Sequence, residues 1–401
     1  MRILAKISTT VLLVVLVGLS VLRPASSAGS LSILMEPDGS GIWRELFADF
    51  HRKNPDIEVE LVEGPPSTNT REDMYSTAFL AGSGGFDVVY GDVVWVPKFA
   101  AAGWLLDLTD RLSADDLQDF LPADLEGGTY EGRLYRIPAF TDAGLLFYRK
   151  DLVPEPPSTF EELRTYAKQY KNPDRWGFLW QGKQYEGLVT VFLEVLWGHG
   201  GDWIDPATRT VHLDEPEAIR ALAFMVDLIG NESPPGVTTH TEEDTRNLFQ
   251  SGHAVFLRNW LYVWRLADQG GAIKKDQVGF TAMVHEPNRK SAATLGGWGF
   301  AISRFTKNPE AAWRLVEFLA RSDSLAQVQQ RVGLIPARKS QVPAEFLPIL
   351  LNARPRPAIP EYAQASDILQ RSLSAALTGR VSPDEALREA ARQTRLLLQS
   401  E

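Results

Sequence analysis

The sequence has no cysteine and relatively few basic side chains. None of its 401 residues is a cysteine, which excludes a thiol nucleophile, a lipid-attachment thiol and any disulfide. Lys and Arg number 41 against 51 Asp and Glu, which gives a formal charge of −10. Because phosphate neutralisation requires clustered basic residues, this acidic chain without a basic stripe is a poor candidate for a nucleic-acid-binding protein.

Catalytic and metal-binding motifs are missing as well. The six histidines show no His-x-x-x-His or similar spacing, which disfavours a metal site. There is no Gly-x-Ser-x-Gly motif, and Gly82–Gly85 lacks the Lys-Ser/Thr of a phosphate-binding loop. We therefore predict a protein without a metal or cofactor. The abundant carboxylates keep a secreted glycoside hydrolase open as the alternative, since Glu36, Asp92, Asp142 and Glu194 could supply an acid pair.

Only one long hydrophobic run is present, and it lies at the N-terminus. Arg2 and Lys6 precede the apolar run Val11–Leu22, and Ala25–Ala28 adds small residues, the order of a secretory signal peptide. The run has about twelve residues, whereas a membrane span needs roughly twenty. We predict cleavage after Ala28, which removes residues 1–28 and releases a soluble protein into the periplasm; an uncleaved membrane anchor is the alternative.

The rest of the chain alternates strands and helices. Strands are predicted at Leu31–Leu34, around Ile57–Leu61 and at Phe86–Tyr90, with helices at Ile42–Lys53 and Thr70–Leu80 between them. This alternation predicts an α/β fold with mostly parallel sheets flanked by helices. About 370 residues after the signal peptide suffice for two domains. No Ser/Pro-rich linker separates two halves, so the chain should cross between the domains more than once.

Local signals predict a hairpin and further helices. A hairpin should turn at Glu131-Gly132. Ser158 with Glu161 reads as a capping box that opens a helix to about Tyr170, and Ser382-Pro383-Asp384-Glu385 as another helix start. The other predicted helices lie near Glu186–Trp197, Pro216–Ile229, Glu242–Gln250, Pro309–Arg321 and Ser324–Arg331.

Three groups of motifs occur in a fixed order along the chain. Leu134–Leu152 is followed by the proline-then-helix step Pro156–Leu163, then by Gly296–Ser303 with Lys307–Trp313, and finally by Gly333–Arg338. Together they resemble the signatures of family 1 extracellular solute-binding proteins of ABC importers, in the maltose- and trehalose-binding branch. The resemblance extends over most of the chain after residue 28.

The resemblance implies a two-lobed periplasmic binding protein fold of type II, with a hinge that the chain crosses three times. The crossings should lie near Phe140–Asp142, Ala292–Gly296 and Ser322–Ser324. Residues 29–140 with 296–322 would form the N-terminal lobe, and 141–295 with 323–401 the C-terminal lobe. A ligand would lie in the cleft between the lobes, at the ends of the strands.

The implied function is the binding of an oligosaccharide or glucoside without chemical change, for delivery to the permease subunits of an ABC transporter. Trehalose, maltose, sucrose and glucosylglycerol all remain compatible, and a monomer is expected. Receptors for an amino acid, a polyamine or ferric ion stay open as other ligand classes. A ferric site would favour adjacent tyrosines, which are absent, and Arg71 disfavours a cationic ligand.

The same resemblance assigns sugar contacts residue by residue. The expected ligand-binding residues are Glu36, Arg71, Asp92, Asp142, Trp260, Gly297 and Trp298, with Trp95, Trp180, Gln181, Tyr185 and Trp203 as weaker candidates. Carboxylates and arginine form charge-assisted hydrogen bonds with sugar hydroxyls, while indole rings cover the apolar C–H face. A glycine lets the backbone approach the sugar closely. Trp43, Trp176 and Trp313 are predicted to be structural.

Overall fold

A computed structural model describes residues 29–82, 85–267 and 271–399. The predicted signal peptide, residues 1–28, lies outside the described residues. The strands are β1 (Ser30–Met35), β2 (Glu58–Glu63), β3 (Val88–Asp92), β4 (Thr129–Tyr130), β5 (Arg133–Leu134), β6 (Arg136–Arg149), β7 (Trp176–Leu179), β8 (Ile204–Asp205), β9 (Thr210–Val211), β10 (Ala254–Trp260), β11 (Val278–Thr281), β12 (Leu295–Ile302) and β13 (Ile335–Pro336).

The helices are α1 (Ile42–Lys53), α2 (Thr68–Leu80), α3 (Val96–Ala101), α4 (Ala114–Asp119), α5 (Pro122–Glu126), α6 (Phe160–Tyr170), α7 (Glu186–Gly198), α8 (Pro216–Leu228), α9 (Glu242–Gln250), α10 (Tyr262–Leu266), α11 (Pro309–Leu319), α12 (Ser322–Val332), α13 (Leu347–Leu351), α14 (Tyr362–Leu377) and α15 (Pro383–Leu398). Within the described ranges, none of these helices has the length and hydropathy of a membrane-spanning segment.

The first elements follow the hydrophobic spacing of the sequence. α1 has the predicted bounds, and its buried face carries Ile42, Leu46 and Phe50. The side-chain amide of Asn54 donates to the carbonyl of Phe50 at 2.9 Å where the helix ends. β1 pairs in parallel with β2 and β3, as expected for strands joined through helices.

One long strand, β6, belongs to both halves of the molecule. Its residues from Arg136 to Ala143 pair with β12, and those from Gly144 to Arg149 pair with β10 and β11. The pairs around β6 are antiparallel, and the parallel pairs lie outward, among β1–β3 and between β10 and β7. The strand order β2-β1-β3-β12-β6-β10-β7 confirms the predicted α/β fold with two lobes. The first lobe contains β1, β2, β3 and β12, the second contains β7, β10 and β11, and β6 runs through both.

The third hinge crossing is placed differently from the prediction. Leu325 and Val328 of α12 and the later residue Ala337 pack in the apolar cluster of β1 and α1. Phe346 instead packs in the cluster around β10. The chain therefore passes to the second lobe between Ala337 and Phe346, and the prediction of a crossing at Ser322–Ser324 is wrong, because the apolar face of α12 covers the first lobe.

Helix caps confirm one predicted start and shift another. The box at Ser382 is present, with Pro383 in the first turn of α15 and the backbone N–H of Glu385 donating to the serine hydroxyl. α6 is capped by Thr159 with Glu162, one residue later than predicted. Both hydroxyl residues are followed by a glutamate three positions on, so spacing alone does not distinguish them.

Most other predicted elements are present. The hairpin turns at Glu131 and Gly132, both of which have positive φ. Trp43 and Trp313 are buried in the core as predicted, and Trp176 is half-buried at the start of β7. The helices predicted after residue 180 and before residue 335 correspond to α7, α8, α9, α11 and α12.

Candidate functional site

A cavity of about 240 Å³ opens beside the middle of β6, where β3 and β10 end and β12 begins. Both lobes contribute to its wall. The lining residues are Pro66, Thr68, Asp92, Asp142, Tyr185, Glu186, Gly187, Thr190, Glu242, Trp260, Tyr262, Gly296, Gly297, Trp298, Leu334 and Arg356. The structure thus brings together Asp92, Asp142, Trp260, Gly297 and Trp298 from the predicted set, and Tyr185 from the weaker one.

Trp298, on the first lobe, lies against other aromatic rings. Its indole stacks on Tyr90 with ring centroids 5.0 Å apart, and it meets Trp95 edge-on at 5.6 Å. The guanidinium of Arg71 lies 5.0 Å from its ring centroid. These neighbours fix the plane of the indole and leave it half-buried at the cavity.

Arg71 lies next to Trp298 and Glu36 lies next to Arg71, and neither is among the residues that line the cavity. Arg71 Nη1 donates to the backbone carbonyls of Pro65 and Pro66 at 2.8 and 2.9 Å. Arg71 Nη2 lies 3.6 Å from the Glu36 carboxylate. Burial raises the pKa of Glu36, and the positive charge of Arg71 opposes that shift. Direct ligand contact by Glu36 and Arg71 stays a prediction.

Trp260, on the second lobe, lies among polar groups. The guanidinium of Arg258 is 4.2 Å from its ring centroid. The indole Nε1 donates to Glu242 Oε1 at 3.3 Å, and the Tyr185 hydroxyl donates to Glu242 Oε2 at 2.5 Å. Gly296 packs against the other edge, since a Cβ there would lie 3.1 Å from the indole.

The arginine behind Trp260 belongs to a fully buried ion pair. Arg258 Nε and Nη2 donate to the two carboxylate oxygens of Glu194 at 2.7 and 2.6 Å. Arg258 Nη1 donates to Gln181 Oε1 at 3.1 Å. Glu194 also accepts the backbone N–H of Thr294, just before β12, at 3.1 Å. Glu194 is therefore engaged in structural pairing, and it does not line the cavity as an acid of a hydrolase would.

Asp142 joins the cavity to the hinge. Its Oδ1 accepts the backbone N–H groups of Ala143 and Leu261 at 2.9 and 2.8 Å, which ties β6 to the residue after β10. Burial raises the pKa of Asp142 to about 7, against the lowering effect of these two N–H groups and of Arg258. Its carboxyl group can thus change protonation near neutral pH.

Arg356 is a cavity residue that the sequence analysis missed. Its guanidinium donates to Asp92 Oδ1 on the first lobe and to Glu186 Oε1 on the second, both at 2.8 Å. Glu186 also accepts hydrogen bonds from the hydroxyls of Tyr362 and Ser366. Burial opposes the charge of Arg356, but Asp92 and Glu186 outweigh it and raise its pKa. Arg356 lies in an irregular segment between α13 and α14, where no periodic pattern marks a functional residue.

Four of the weaker candidates do not line the cavity, contrary to the prediction. Trp180 and Trp203 are buried in the apolar core, with 1% and 0% of their surface exposed, and the Trp180 indole donates to the Ser233 hydroxyl. Trp95 is buried beneath Trp298. Gln181 is buried and orients Arg258. A large aromatic or amide side chain suits a core as well as a binding site, so residue type alone does not separate the two.

Metal ligands are not clustered in the part of the chain that the structure describes. No group of three or more His, Asp or Glu side chains there is arranged to hold a metal ion. The cavity instead offers two indole rings, three tyrosine or arginine donors and four carboxylates, from Asp92, Asp142, Glu186 and Glu242. The hydroxyl groups of a ligand can donate to these carboxylates and accept from the tyrosine and arginine donors.

A cavity between two α/β lobes, walled by aromatic rings and hydrogen-bonding groups from both, defines a two-lobed ligand-binding protein. The chain belongs to the family of bacterial extracellular solute-binding proteins, whose family model matches residues 36–325. A probable ABC transporter-binding protein from Deinococcus radiodurans is 32% identical over 366 residues, which cover 85% of this chain and 87% of the relative.

Solved structures of other solute-binding proteins share the fold over nearly their whole length. The maltose-bound MalE3 of T. maritima is 39% identical with a TM-score of 0.86, covering 92% of this chain and 100% of that one. A solute-binding protein from Agrobacterium radiobacter in complex with ribitol is 26% identical with a TM-score of 0.82, covering 92% and 99%. The predicted family is therefore confirmed.

Proposed function

We propose that this protein binds a sugar in the cavity between its lobes and delivers it unchanged to the permease of an ABC transporter. The observation that carries the proposal is the pair of indole rings, Trp260 and Trp298, on opposite lobes of one cavity lined with carboxylates. The ligand would be an oligosaccharide or glucoside of the trehalose, maltose, sucrose or glucosylglycerol type. The maltose bound to MalE3 and the ribitol bound to the Agrobacterium protein support a polyhydroxylated ligand.

The proposed contacts divide between the two lobes. Trp298, Asp92 and the backbone of Gly297 would hold the sugar from the first lobe, and Trp260 with Glu242 from the second. Because ligand contacts on both lobes are satisfied only when the lobes are close together, binding would stabilise a closed state that the permease recognises. Glu36 and Arg71 would act through the position of Trp298.

The proposed location is the periplasm, after removal of residues 1–28. The family is extracellular, which supports export of this chain. A binding role requires no proton transfer, so we propose that the protein has no hydrolase activity. We also propose that it acts as a monomer.

A ligand panel tests this function. The protein without residues 1–28 is mixed separately with maltose, trehalose, sucrose, glucosylglycerol and ribitol, and its thermal unfolding is measured with each. Calorimetric titration then gives the affinity for each compound. A ligand at one hundred times its Kd should stabilise the protein by about 2.7 kcal/mol. Chromatography after long incubation should recover the sugar intact. Hydrolysis of the sugar would establish the glycosidase alternative, and the absence of a thermal shift with every compound would contradict sugar binding.

A further inference from the structure

Three buried polar side chains next to the cavity have fewer hydrogen-bond partners than their polar atoms require. Asp124 of α5 and Arg136 and Thr141 of β6 have 0%, 1% and 2% of their surface exposed. The Thr141 hydroxyl lies beside the Asp124 carboxyl group and interacts with it, but that group has no other partner among the described residues. Nε and Nη1 of Arg136 have no hydrogen-bond partner there at all. Buried polar groups are normally satisfied, and buried charges especially so. This cluster, called the Asp124 site below, therefore requires a further partner.

Two glycines of the Gly-Gly-Trp-Gly motif make room for the site. A Cβ at Gly297 would lie 2.9 Å from Asp124 Oδ1, and a Cβ at Gly299 would lie 2.6 Å from Arg136 Nη1. Thr141 is opposite Gly297 in the pairing of β6 with β12. Since Gly297 also lines the ligand cavity, a single residue of backbone separates the cavity from the Asp124 site.

The Asp124 carboxyl group and the Arg136 guanidinium face each other without joining directly, and burial raises the pKa of Asp124 to about 7. Arg136 Nη2 donates to the backbone carbonyl of Asp124 at 3.5 Å, so the guanidinium is turned toward α5. Its remaining nitrogens nevertheless do not bond to the carboxylate. The site is also coupled to the cavity residues: the charge of Asp124 contributes to the raised pKa of Asp142, and Asp92 and Arg356 act on the pKa of Arg136.

We propose that Asp124, Arg136 and Thr141 bind one neutral hydroxyl group, which donates to the Asp124 carboxylate and accepts from the Arg136 guanidinium. A cation in this place would meet the guanidinium, and an anion would meet the carboxylate. An apolar group would leave both charges unpaired. A hydroxyl group satisfies both because it is donor and acceptor at once.

Two sources supply this chemistry, an ordered water molecule and a hydroxyl of the bound sugar. Only the second rests on the proposed function, because a water would occupy the site in a protein that binds no sugar at all. Failure of the ligand panel therefore leaves the hydroxyl site standing, and failure of the hydroxyl site leaves sugar binding standing.

High-resolution crystal structures with and without maltose test the proposal. An oxygen atom within hydrogen-bond distance of the Asp124 carboxylate and the Arg136 guanidinium in the sugar-free protein identifies water. Density that appears there only with maltose, continuous with the sugar, identifies a sugar hydroxyl. Either result supports the site. A direct Asp124–Arg136 ion pair that leaves no oxygen between them, or an ion revealed by anomalous scattering, overturns it.

A pair of variants at Thr141 tests the same site in solution. Thr141→Ser keeps the hydroxyl, whereas Thr141→Val replaces it with a methyl group of similar size. Thr141→Val should melt at a lower temperature than Thr141→Ser, and its crystal structure should show weaker or displaced oxygen density. Equal melting temperatures together with unchanged density remove Thr141 from the site. Should the valine variant fail to fold, the wild-type crystal structures remain decisive.

Discussion

The two indole rings of the cavity are built on the same plan and held by different means. Trp298 and Trp260 are both half-buried, and each has an arginine guanidinium over its ring, at 5.0 and 4.2 Å. Arg71, over Trp298, is held by backbone carbonyls, with Glu36 at 3.6 Å. Arg258, over Trp260, donates hydrogen bonds to both carboxylate oxygens of the fully buried Glu194.

The two indole rings are therefore held in place by different kinds of interaction. Trp298 depends on ring packing against Tyr90 and Trp95, which is apolar and tolerant of small shifts. Trp260 depends on charged and hydrogen-bonded groups, whose partners are costly to remove. We therefore expect substitutions behind Trp260 to cost stability, and substitutions at the rings to cost affinity.

The largest expected effect comes from breaking the buried pair behind Trp260. Glu194→Gln leaves the Arg258 charge buried without a carboxylate, which should lower the free energy of unfolding by about 3–5 kcal/mol. The measurement is urea unfolding followed by circular dichroism. Glu389→Gln, which breaks the exposed pair with Arg392, is the matched control and should leave the midpoint nearly unchanged. Equal midpoints for the two variants would show that the buried pair does not anchor the second lobe.

Removing either ring should weaken sugar binding while the protein stays folded. Trp298→Ala is expected to lose at least about tenfold in affinity, and Trp260→Ala a comparable amount, since each ring covers an apolar sugar face. Trp264→Ala provides the control, because this residue does not line the cavity. Calorimetric titration gives the affinities. Retained affinity in the Trp298 variant would place that ring in the core alone.

Asp142→Asn should weaken binding by about 1.5–3 kcal/mol through lost charged hydrogen bonds. Burial raises the pKa of Asp142 to about 7, with Arg258 lowering it and Asp124 raising it. Sugar hydroxyls donate more strongly to the ionised carboxylate, so wild-type affinity should rise up to about tenfold between about pH 6 and pH 8. The Asn variant should show a weaker pH dependence, with the remainder coming from Asp124, whose pKa burial also raises to about 7.

The same raised pKa has the opposite consequence for stability. A carboxyl whose pKa is higher in the folded protein stabilises it at low pH, and this contribution is lost as the pH rises through about 7. The thermal midpoint of the sugar-free wild type should fall relative to that of Asp142→Asn between about pH 4 and about pH 7. A variant that binds normally but melts much lower would make Asp142 a hinge element only.

The smallest expected effect concerns the arginine between the lobes. Arg356 bonds to Asp92 on one lobe and Glu186 on the other, so Arg356→Met should favour lobe separation. Small-angle scattering should show a slightly larger radius of gyration for the sugar-free variant than for the wild type. Maltose should compact the wild type. Identical scattering curves for both sugar-free proteins would mean that Arg356 does not hold the lobes together.

The regular elements were predictable where a residue signal coincides with the structure that forms. α1 has its predicted bounds because its apolar face repeats with helical spacing and Asn54 ends it. α15 begins at a cap, a proline and a glutamate. α14 was not predicted, and its start at Glu361 has no side-chain cap to mark it.

The site was predictable in proportion to how local its signals are. Trp298 and Gly297 belong to one short motif. Arg356, by contrast, acquires its role only by meeting Asp92, 264 positions away, and Glu186, 170 positions away. Trp180 and Trp203 were misassigned because burial depends on neighbours that the sequence does not place side by side.

The position of β12 has a consequence for the order in which the chain can fold. β12 lies between β3 and β6 in the sheet, yet Trp298 pairs with Asp92 across 206 positions of sequence. Until β12 has been made, the edge of β3 lacks a neighbour, and unpaired edges invite association with other chains. Pairing over such distances is also slow. A growing chain therefore cannot finish its first lobe before a large part of the second, from Gly144 to Thr294, has emerged, and a fragment that stops before Leu295 should aggregate instead of yielding one folded lobe.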